Sequence, residues 1–307
     1  MYSTVVRSDE YMLRLSSFIS SEYDIEVNQI VPTKRGFYGE TWKLYTPNAH
    51  YFMKLVYCDE HKSVYEHSFP IIQHLYDHGI DFISKIKKTK CGKLSTHFDG
   101  AVVGIFDWID GENIETNETK IPEYQMMAKA YTVPYVGLDI NKEDFSNKCS
   151  DEFWKQKSIL KNIEVLSLLD KHHDKIKHRS ERLNLFSKLC CNDETGFVIT
   201  HGDAGGNFFV SEHKNYIVDW DGVTLAPTER DAWVMCSHPW AQNAFNNALH
   251  ERGIDYKLRP ERLAYYCYRF FFFYLNSFLY ANSNADIIEE YIDGWIENSF
   301  SWADGVK

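Results

Sequence analysis

Apolar side chains recur along the chain with two different periods, and the changes between them mark its elements. Residues 10–22 predict a helix. Three short runs of strand character follow, Val27 to Val31, Thr41 to Tyr45 and Tyr51 to Tyr57, with the turn-forming pair Pro47-Asn48 between the last two. They read as an antiparallel meander. From Glu60 to His78 the positions Val64, Phe69, Ile72, Leu75 and Tyr76 return at helical spacing, Pro70 predicts an irregular start or a kink, and Gly79 closes the helix. Two more strand-like runs come next, Phe82 to Ile86 and Ala101 to Phe106, with Cys91-Gly92 and Asp99-Gly100 as turns. Beyond about residue 112 the pattern changes to long helices, including Ser158 to Leu169 and Glu181 to Leu189, broken by a compact pair of strands around 197–219. The aromatic-rich run Tyr265 to Tyr280 is interrupted by Arg269 and Asn276 and is short for a membrane span, so it predicts a buried helix. The order is that of an α+β protein with an antiparallel-sheet lobe over 1–110 and a mostly helical lobe over 111–307.

Composition narrows the choice of partners. With 307 residues the chain is long enough to bury a sizeable core. A formal charge of −11 repels nucleic acid and anionic membrane, and the longest basic cluster, Lys85 to Lys90, reads as a solvated hairpin edge. Such a surface suits a cationic small molecule. The 7 cysteines are odd in number and show no Cys-x-x-Cys spacing, so neither a disulfide framework nor a zinc site is expected. The first residues lack a basic segment followed by an apolar one, and a cytoplasmic location is the expectation.

Chemistry concentrates at Phe197 to Val210, where an apolar strand runs into His201-Gly202-Asp203-Ala204-Gly205-Gly206-Asn207 and returns to an apolar strand. A second carboxylate, Asp219, follows in Tyr216-Ile217-Val218-Asp219-Trp220-Asp221-Gly222. An Asp and an Asn four residues apart, with another Asp ending the next strand, supply what phosphoryl transfer needs. One carboxylate orients an attacking hydroxyl, and two oxygen ligands hold magnesium. The same loop taken alone also fits a metal-dependent phosphoesterase that uses His201 as a ligand.

The motif resembles the His-Gly-Asp-x-x-x-x-Asn signature of the aminoglycoside phosphotransferase and choline kinase superfamily, and the ending Ala226-Pro227-Thr228-Glu229-Arg230-Asp231 is similar to its spectinomycin phosphotransferase-like branch. The resemblance implies a bilobal, protein-kinase-like fold, Asp203 as catalytic base, Asn207 and Asp219 as Mg²⁺ ligands, and Asp231 as a brace for the catalytic loop. In the first lobe it implies ATP or GTP contacts. Gly36 and Gly39 lie in the phosphate-covering turn, Lys54 meets the α- and β-phosphates, and Glu66 positions Lys54. Phe106 sits beside the base, which meets the backbone C=O of Asp107 and N–H of Ile109. Asp221 faces a second magnesium or a substrate ammonium group, or else caps the next turn.

The implied activity is transfer of the γ-phosphoryl group to a hydroxyl of a small molecule. Aminoglycoside or aminocyclitol antibiotics head the acceptors, followed by metabolites such as choline, homoserine or a thioribose sugar. A phosphoesterase and a nucleotide-binding pseudokinase are the rivals. Lys54, Glu66 and Asn207 argue against the first, and the intact set Asp203, Asn207 and Asp219 argues against the second. Three departures from the family pattern are Ala204 after Gly-Asp, Ala226 where many relatives have Gly, and an irregular phosphate turn. In the cluster His172, His173, Asp174 and His178 no two histidines stand one helical turn apart, and the stretch reads as a solvated helix.

Overall fold

The computed structural model describes residues 6–33, 39–114, 116–235, 238–295 and 297–307. In chain order the elements are α1 (Asp9–Tyr23), β1 (Gln29–Pro32), β2 (Glu40–Tyr45), β3 (His50–Val56), α2 (Asp59–Asp77), β4 (Thr96–Phe98), β5 (Ala101–Asp107), β6 (Glu112–Asn113) and α3 (Asn117–Ala130). Then come α4 (Lys148–Ile159), α5 (Ile163–Lys171), α6 (His173–Cys190), β7 (Phe197–Thr200), β8 (Phe208–Val210), β9 (Asn215–Ile217) and β10 (Thr224–Pro227). The last helices are α7 (Glu229–Met235), α8 (Pro239–Glu251), α9 (Pro260–Tyr280), α10 (Ala285–Glu290), a π-helical turn over Tyr291–Trp295, and α11 (Glu297–Ala303). They form two compact units, each made of two chain segments: 1–141 with 201–224, and 142–200 with 225–307.

In the first unit an antiparallel sheet has the order β1-β2-β3-β5-β4. Its two faces are used differently. Trp42, Leu44, Met53, Leu55, Val103 and Ile105 pack under α1, whose Tyr11, Leu15, Ile19 and Tyr23 fall on one stripe of a 3.6-residue helix. Ser8 starts that helix by accepting the Tyr11 N–H at 3.2 Å, and Asp24 ends it in the left-handed region. The alternate residues Thr41, Phe52, Lys54, Gly104 and Phe106 take the other face, as the period of a strand requires. Helix α2 packs there through Tyr65, Phe69 and Ile72, with Phe69 stacked on Phe106 at 5.7 Å. The expected strand over 82–86 is instead a buried loop with a single bridge, Ile86 to Phe106, and β4 takes the sheet edge. Phe82 and Ile83 owe their apolar character to burial of that loop.

The rest of this unit is the three-stranded sheet β6-β8-β9. Its hairpin β8–β9 follows the segment 201–207, and Ile217 N–H reaches back to the Phe82 carbonyl at 2.9 Å.

The second unit is helical around α9, against which α4, α6, α7 and α11 pack. The pairs Phe153–Phe272 at 5.6 Å, Phe186–Tyr268 at 6.0 Å and Trp233–Phe270 at 4.9 Å carry these contacts. Strands β7 and β10 form a two-stranded ladder, so the partner of β7 is not the strand that follows it. The expected helix over 158–169 is two helices, α4 and α5, separated at 160–162, where Asn162 caps α5 by accepting the Glu164 and Val165 N–H groups. Among the described residues no helix is long and apolar enough to cross a membrane.

Candidate active site

Every side chain of this site belongs to the first unit. Its centre is Lys54, in the middle of β3 and only 8% exposed. A buried ammonium needs compensating charge, and two carboxylates from the segment after β9 provide it. Lys54 Nζ donates to Asp219 Oδ1 at 3.0 Å and also to Asp221. Burial by itself depresses the Lys54 ammonium, but Asp221 and Asp219 more than offset this, and its pKa is displaced upward. For Asp219 burial works against ionisation and Lys54 outweighs it, leaving the carboxyl below its ordinary value. Asp221 is the member of the pair displaced upward, by burial, because one ammonium does not fully compensate two neighbouring carboxylates.

The chain bends sharply to deliver both acids. Asp219 has φ 64° and ψ 53°, a left-handed conformation that costs a non-glycine residue about 1 kcal/mol or more. A single 3₁₀ turn, Trp220–Gly222, follows. Trp220 pins it by donating Nε1–H to the Ile217 carbonyl at 2.8 Å and by packing edge-on against His201 at 4.6 Å.

The loop after β7 is fixed by His201, which is fully buried. Its Nδ1 accepts the Asp203 N–H at 3.1 Å, and its Nε2 bonds the Val218 carbonyl at 2.7 Å. Both ring nitrogens are therefore committed to backbone, with the proton on Nε2. Asp203 itself is exposed. A 3₁₀ turn over Ala204–Gly206 returns the chain to Asn207, whose Nδ2 donates to the Asp203 carbonyl at 2.7 Å and to Asp203 Oδ2 at 3.3 Å. These bonds use the amide nitrogen and leave the Asn207 Oδ1 oxygen for a cation. Asn113 and Lys120 hold the outer side of the turn through the Gly206 and Gly205 carbonyls.

Lys54, Asn207, Asp219 and Asp221 open on one cavity of about 440 Å³. Phe52, Ile72, Phe106, Phe209 and Val218 give it apolar walls, and Asp107, Trp108 and Ile109 form one side. Ser84 donates its hydroxyl to the Asp107 carbonyl at 2.6 Å, while the Asp107 N–H is used by the Lys85 carbonyl. An apolar slot beside the Asp107–Ile109 segment, ending at a lysine and paired carboxylates, is shaped for a flat ring joined to a charged group.

No family model and no curated protein sequence matches the chain, so the comparison rests on solved structures. A spectinomycin phosphotransferase in complex with ADP and spectinomycin superposes with a TM-score of 0.75 at 19% identity, over 95% of this chain and 97% of that one. An aminoglycoside phosphotransferase from Alicyclobacillus acidocaldarius gives 0.67 at 10% identity, over 99% and 96%. A choline kinase from Streptococcus pneumoniae gives 0.65 at 13% identity, over 95% and 100%. The chain has the fold of the small-molecule phosphotransferases.

Within this phosphotransferase fold the residues singled out from sequence are distributed unevenly. Lys54, Phe106, Asp107, Ile109, Asn207, Asp219 and Asp221 line one cavity, and Asp203 is hydrogen-bonded to Asn207. Gly36 lies outside the described residues. Gly39 starts β2's approach, where a Cβ would stand 2.8 Å from the Leu55 carbonyl oxygen. Glu66 is not brought to Lys54. It points along α2 toward the β4 edge of the sheet, 3.1 Å from His97 Nε2, and Asp219 and Asp221 hold the lysine instead. The physical reason is helical phase: the neighbouring Tyr65 points inward and is 2% exposed, which turns Glu66 to the side. Asp221 has Lys54 as its partner.

Sequence reasoning passed over Tyr65, Gly104 and Ser84. Tyr65 was legible as the first member of the stripe Tyr65, Phe69, Ile72. Gly104 matters only because the register places it opposite Lys54, which no single-strand pattern reveals.

Proposed function

We propose that this protein is an ATP- or GTP-dependent O-phosphotransferase acting on a hydroxyl of a small, cationic molecule. The observation that carries the reading is the meeting of Lys54 with Asp219 and Asp221, at one end of an apolar cavity that Asn207 also lines. The nucleotide base would occupy the slot of Phe52, Ile72 and Phe106 beside the Asp107–Ile109 backbone. Lys54 would steady its phosphates. Asn207 Oδ1 and the Asp219 carboxylate, half of which is open to solvent, suit a hard divalent cation such as Mg²⁺. When bound there, the cation would neutralise charge on the phosphate oxygens.

The chain's own contribution is positional. Asp203 is exposed, and its Oδ2 is oriented by the Asn207 amide, so it can accept the hydrogen bond of an acceptor hydroxyl and take its proton as the new O–P bond forms. The nucleoside diphosphate leaves from the opposite side. A phosphoesterase using His201 as a metal ligand is disfavoured, because both ring nitrogens are already bonded to backbone. The net charge of −11 and neighbours that include a spectinomycin-bound enzyme and a choline kinase support a cationic acceptor.

The test is ATP and GTP consumption against aminoglycosides, spectinomycin, choline, homoserine and thioribose sugars, with Asp203→Asn as control. One acceptor should stimulate turnover, and Asp203→Asn should bind nucleotide normally while losing nearly all of it. Wild-type turnover in Asp203→Asn would sink the assigned role. Phosphate release from simple esters without nucleotide would favour the hydrolase.

A further inference from the structure

A phosphate-binding lysine is useful only if its ammonium is held in one place, and in this chain the helix carboxylate that could hold it faces away. Glu66 is more than a third exposed and pairs with His97 at 3.1 Å. What faces Lys54 from α2 is Tyr65. The ammonium lies 5.4 Å from the centre of its ring, within range of a cation–π contact, and both partners are buried, at 8% and 2% exposure. The sheet makes room for the ring through Gly104, which stands opposite Lys54 in the ladder. Any Cβ there would come within 2.5 Å of the Tyr65 hydroxyl. That hydroxyl is buried and has no hydrogen-bond partner among the described residues, so the phenol is not held in place by its polar end. The ring is what the site uses.

We propose that Tyr65, and not Glu66, is the positioning residue for Lys54, acting through the face of its ring. The inference rests on the phosphotransferase reading, in which Lys54 meets nucleotide phosphates. Asp221 and Asp219 fix the ammonium from the loop side, and Tyr65 closes the helix side. Were Asp219 to engage a cation, Lys54 would keep Asp221 and the ring, and would not need Glu66.

Four variants test this: Tyr65→Leu, Tyr65→Phe, Glu66→Gln, and Tyr65 replaced by pentafluorophenylalanine. The fluorinated ring keeps the packing while reversing the charge distribution of the face. Two readouts are followed, the KM for ATP against kcat, and the lysine ε-methylene resonance of Lys54 in ¹³C-labelled, ligand-free protein, assigned with Lys54→Met. Tyr65→Leu and the fluorinated ring should move that resonance and raise the KM for ATP roughly tenfold or more. Tyr65→Phe should restore both, since only an unbonded hydroxyl is lost, and Glu66→Gln should stay within about twofold of wild type. The proposal is overturned if Glu66→Gln produces the tenfold loss, or if the resonance is the same with the fluorinated ring as with Tyr65. If the wild-type protein binds no nucleotide, the phosphotransferase reading fails separately, and the resonance still decides whether Tyr65 holds Lys54.

Discussion

Gly104→Ala is a one-methyl change in the centre of the sheet, and the structure says what that methyl would meet. Its Cβ would stand 2.4 Å from Phe69 Cζ, 2.5 Å from the Tyr65 hydroxyl oxygen and 2.8 Å from Phe69 Cε1. Non-bonded heavy atoms prefer about 3.5–4.0 Å, so two rings must each retreat by roughly 1 Å. Neither has space. Phe69 and Tyr65 are 1% and 2% exposed, their centroids are 4.8 Å apart, and Phe69 is already stacked on Phe106. Overpacking of this kind costs about 1–3 kcal/mol, and two pinned rings put the cost toward the upper half. Removing a glycine from a strand returns about 0.5–1 kcal/mol. A net loss of about 1–2 kcal/mol is expected, read as a lower urea midpoint followed by fluorescence. Adding Tyr65→Phe removes one of the three close contacts, and the double variant should recover about 0.5–1 kcal/mol by a double-mutant cycle. A Gly104→Ala protein as stable as wild type, or one whose loss is untouched by Tyr65→Phe, would refute the packing argument.

Two further outcomes follow from the second unit. Glu229 is fully buried, and burial lifts its carboxyl to about 6 despite the Arg259 N–H and Tyr256 O–H that it accepts. An acid raised in the folded state is ionised there at a cost, so this group removes stability as pH rises from about 4.5 to 6, roughly 2 kcal/mol in all. Glu229→Gln should therefore gain on wild type across that window, and equal midpoint differences at pH 4.5 and 7 would contradict it. Arg262 is also fully buried and donates to the Thr195 and Asp193 carbonyls and to the Tyr256 hydroxyl, at 2.5, 2.6 and 2.9 Å. Arg262→Leu strands those acceptors and should cost about 3–5 kcal/mol, whereas breaking the exposed Lys171–Glu289 pair should leave the midpoint nearly unchanged. Similar losses for the two would mean that the buried guanidinium is not supporting its neighbours.

The elements that were legible in the sequence are those whose pattern is enforced by one neighbour. Helix α1, the meander β1–β3 and α2 appear within a residue or two of where periodicity puts them. The two helices each pack one apolar stripe, and the strands between them alternate side chains between the face under α1 and the face under α2. The failures share a cause: burial without regular pairing. Phe82 and Ile83 are as buried as strand residues yet sit in a loop, and Ile163 begins a helix that amphipathic spacing alone runs together with the one before it. At the site the loop 201–207 was plain because polar residues interrupt two apolar strands. The partner of Lys54 was not. Glu66 came from the resemblance to a lysine–glutamate pair and not from the helical pattern, whereas Tyr65, at 2% exposure, is the α2 side chain that the core encloses beside Lys54.

The bond from Lys54 to Asp219 joins residues 165 positions apart, and both lie in the same compact unit. On a ribosome adding about 5–20 residues per second, the lysine is made roughly 10–30 s before its counter-charge exists. Until then Lys54 lacks both carboxylates that offset its burial, and the hairpin β8–β9 with the turn after it is the late piece that lets the ammonium leave water. Fragments ending before that turn should leave the Lys54 ammonium in contact with water even where their sheet has formed.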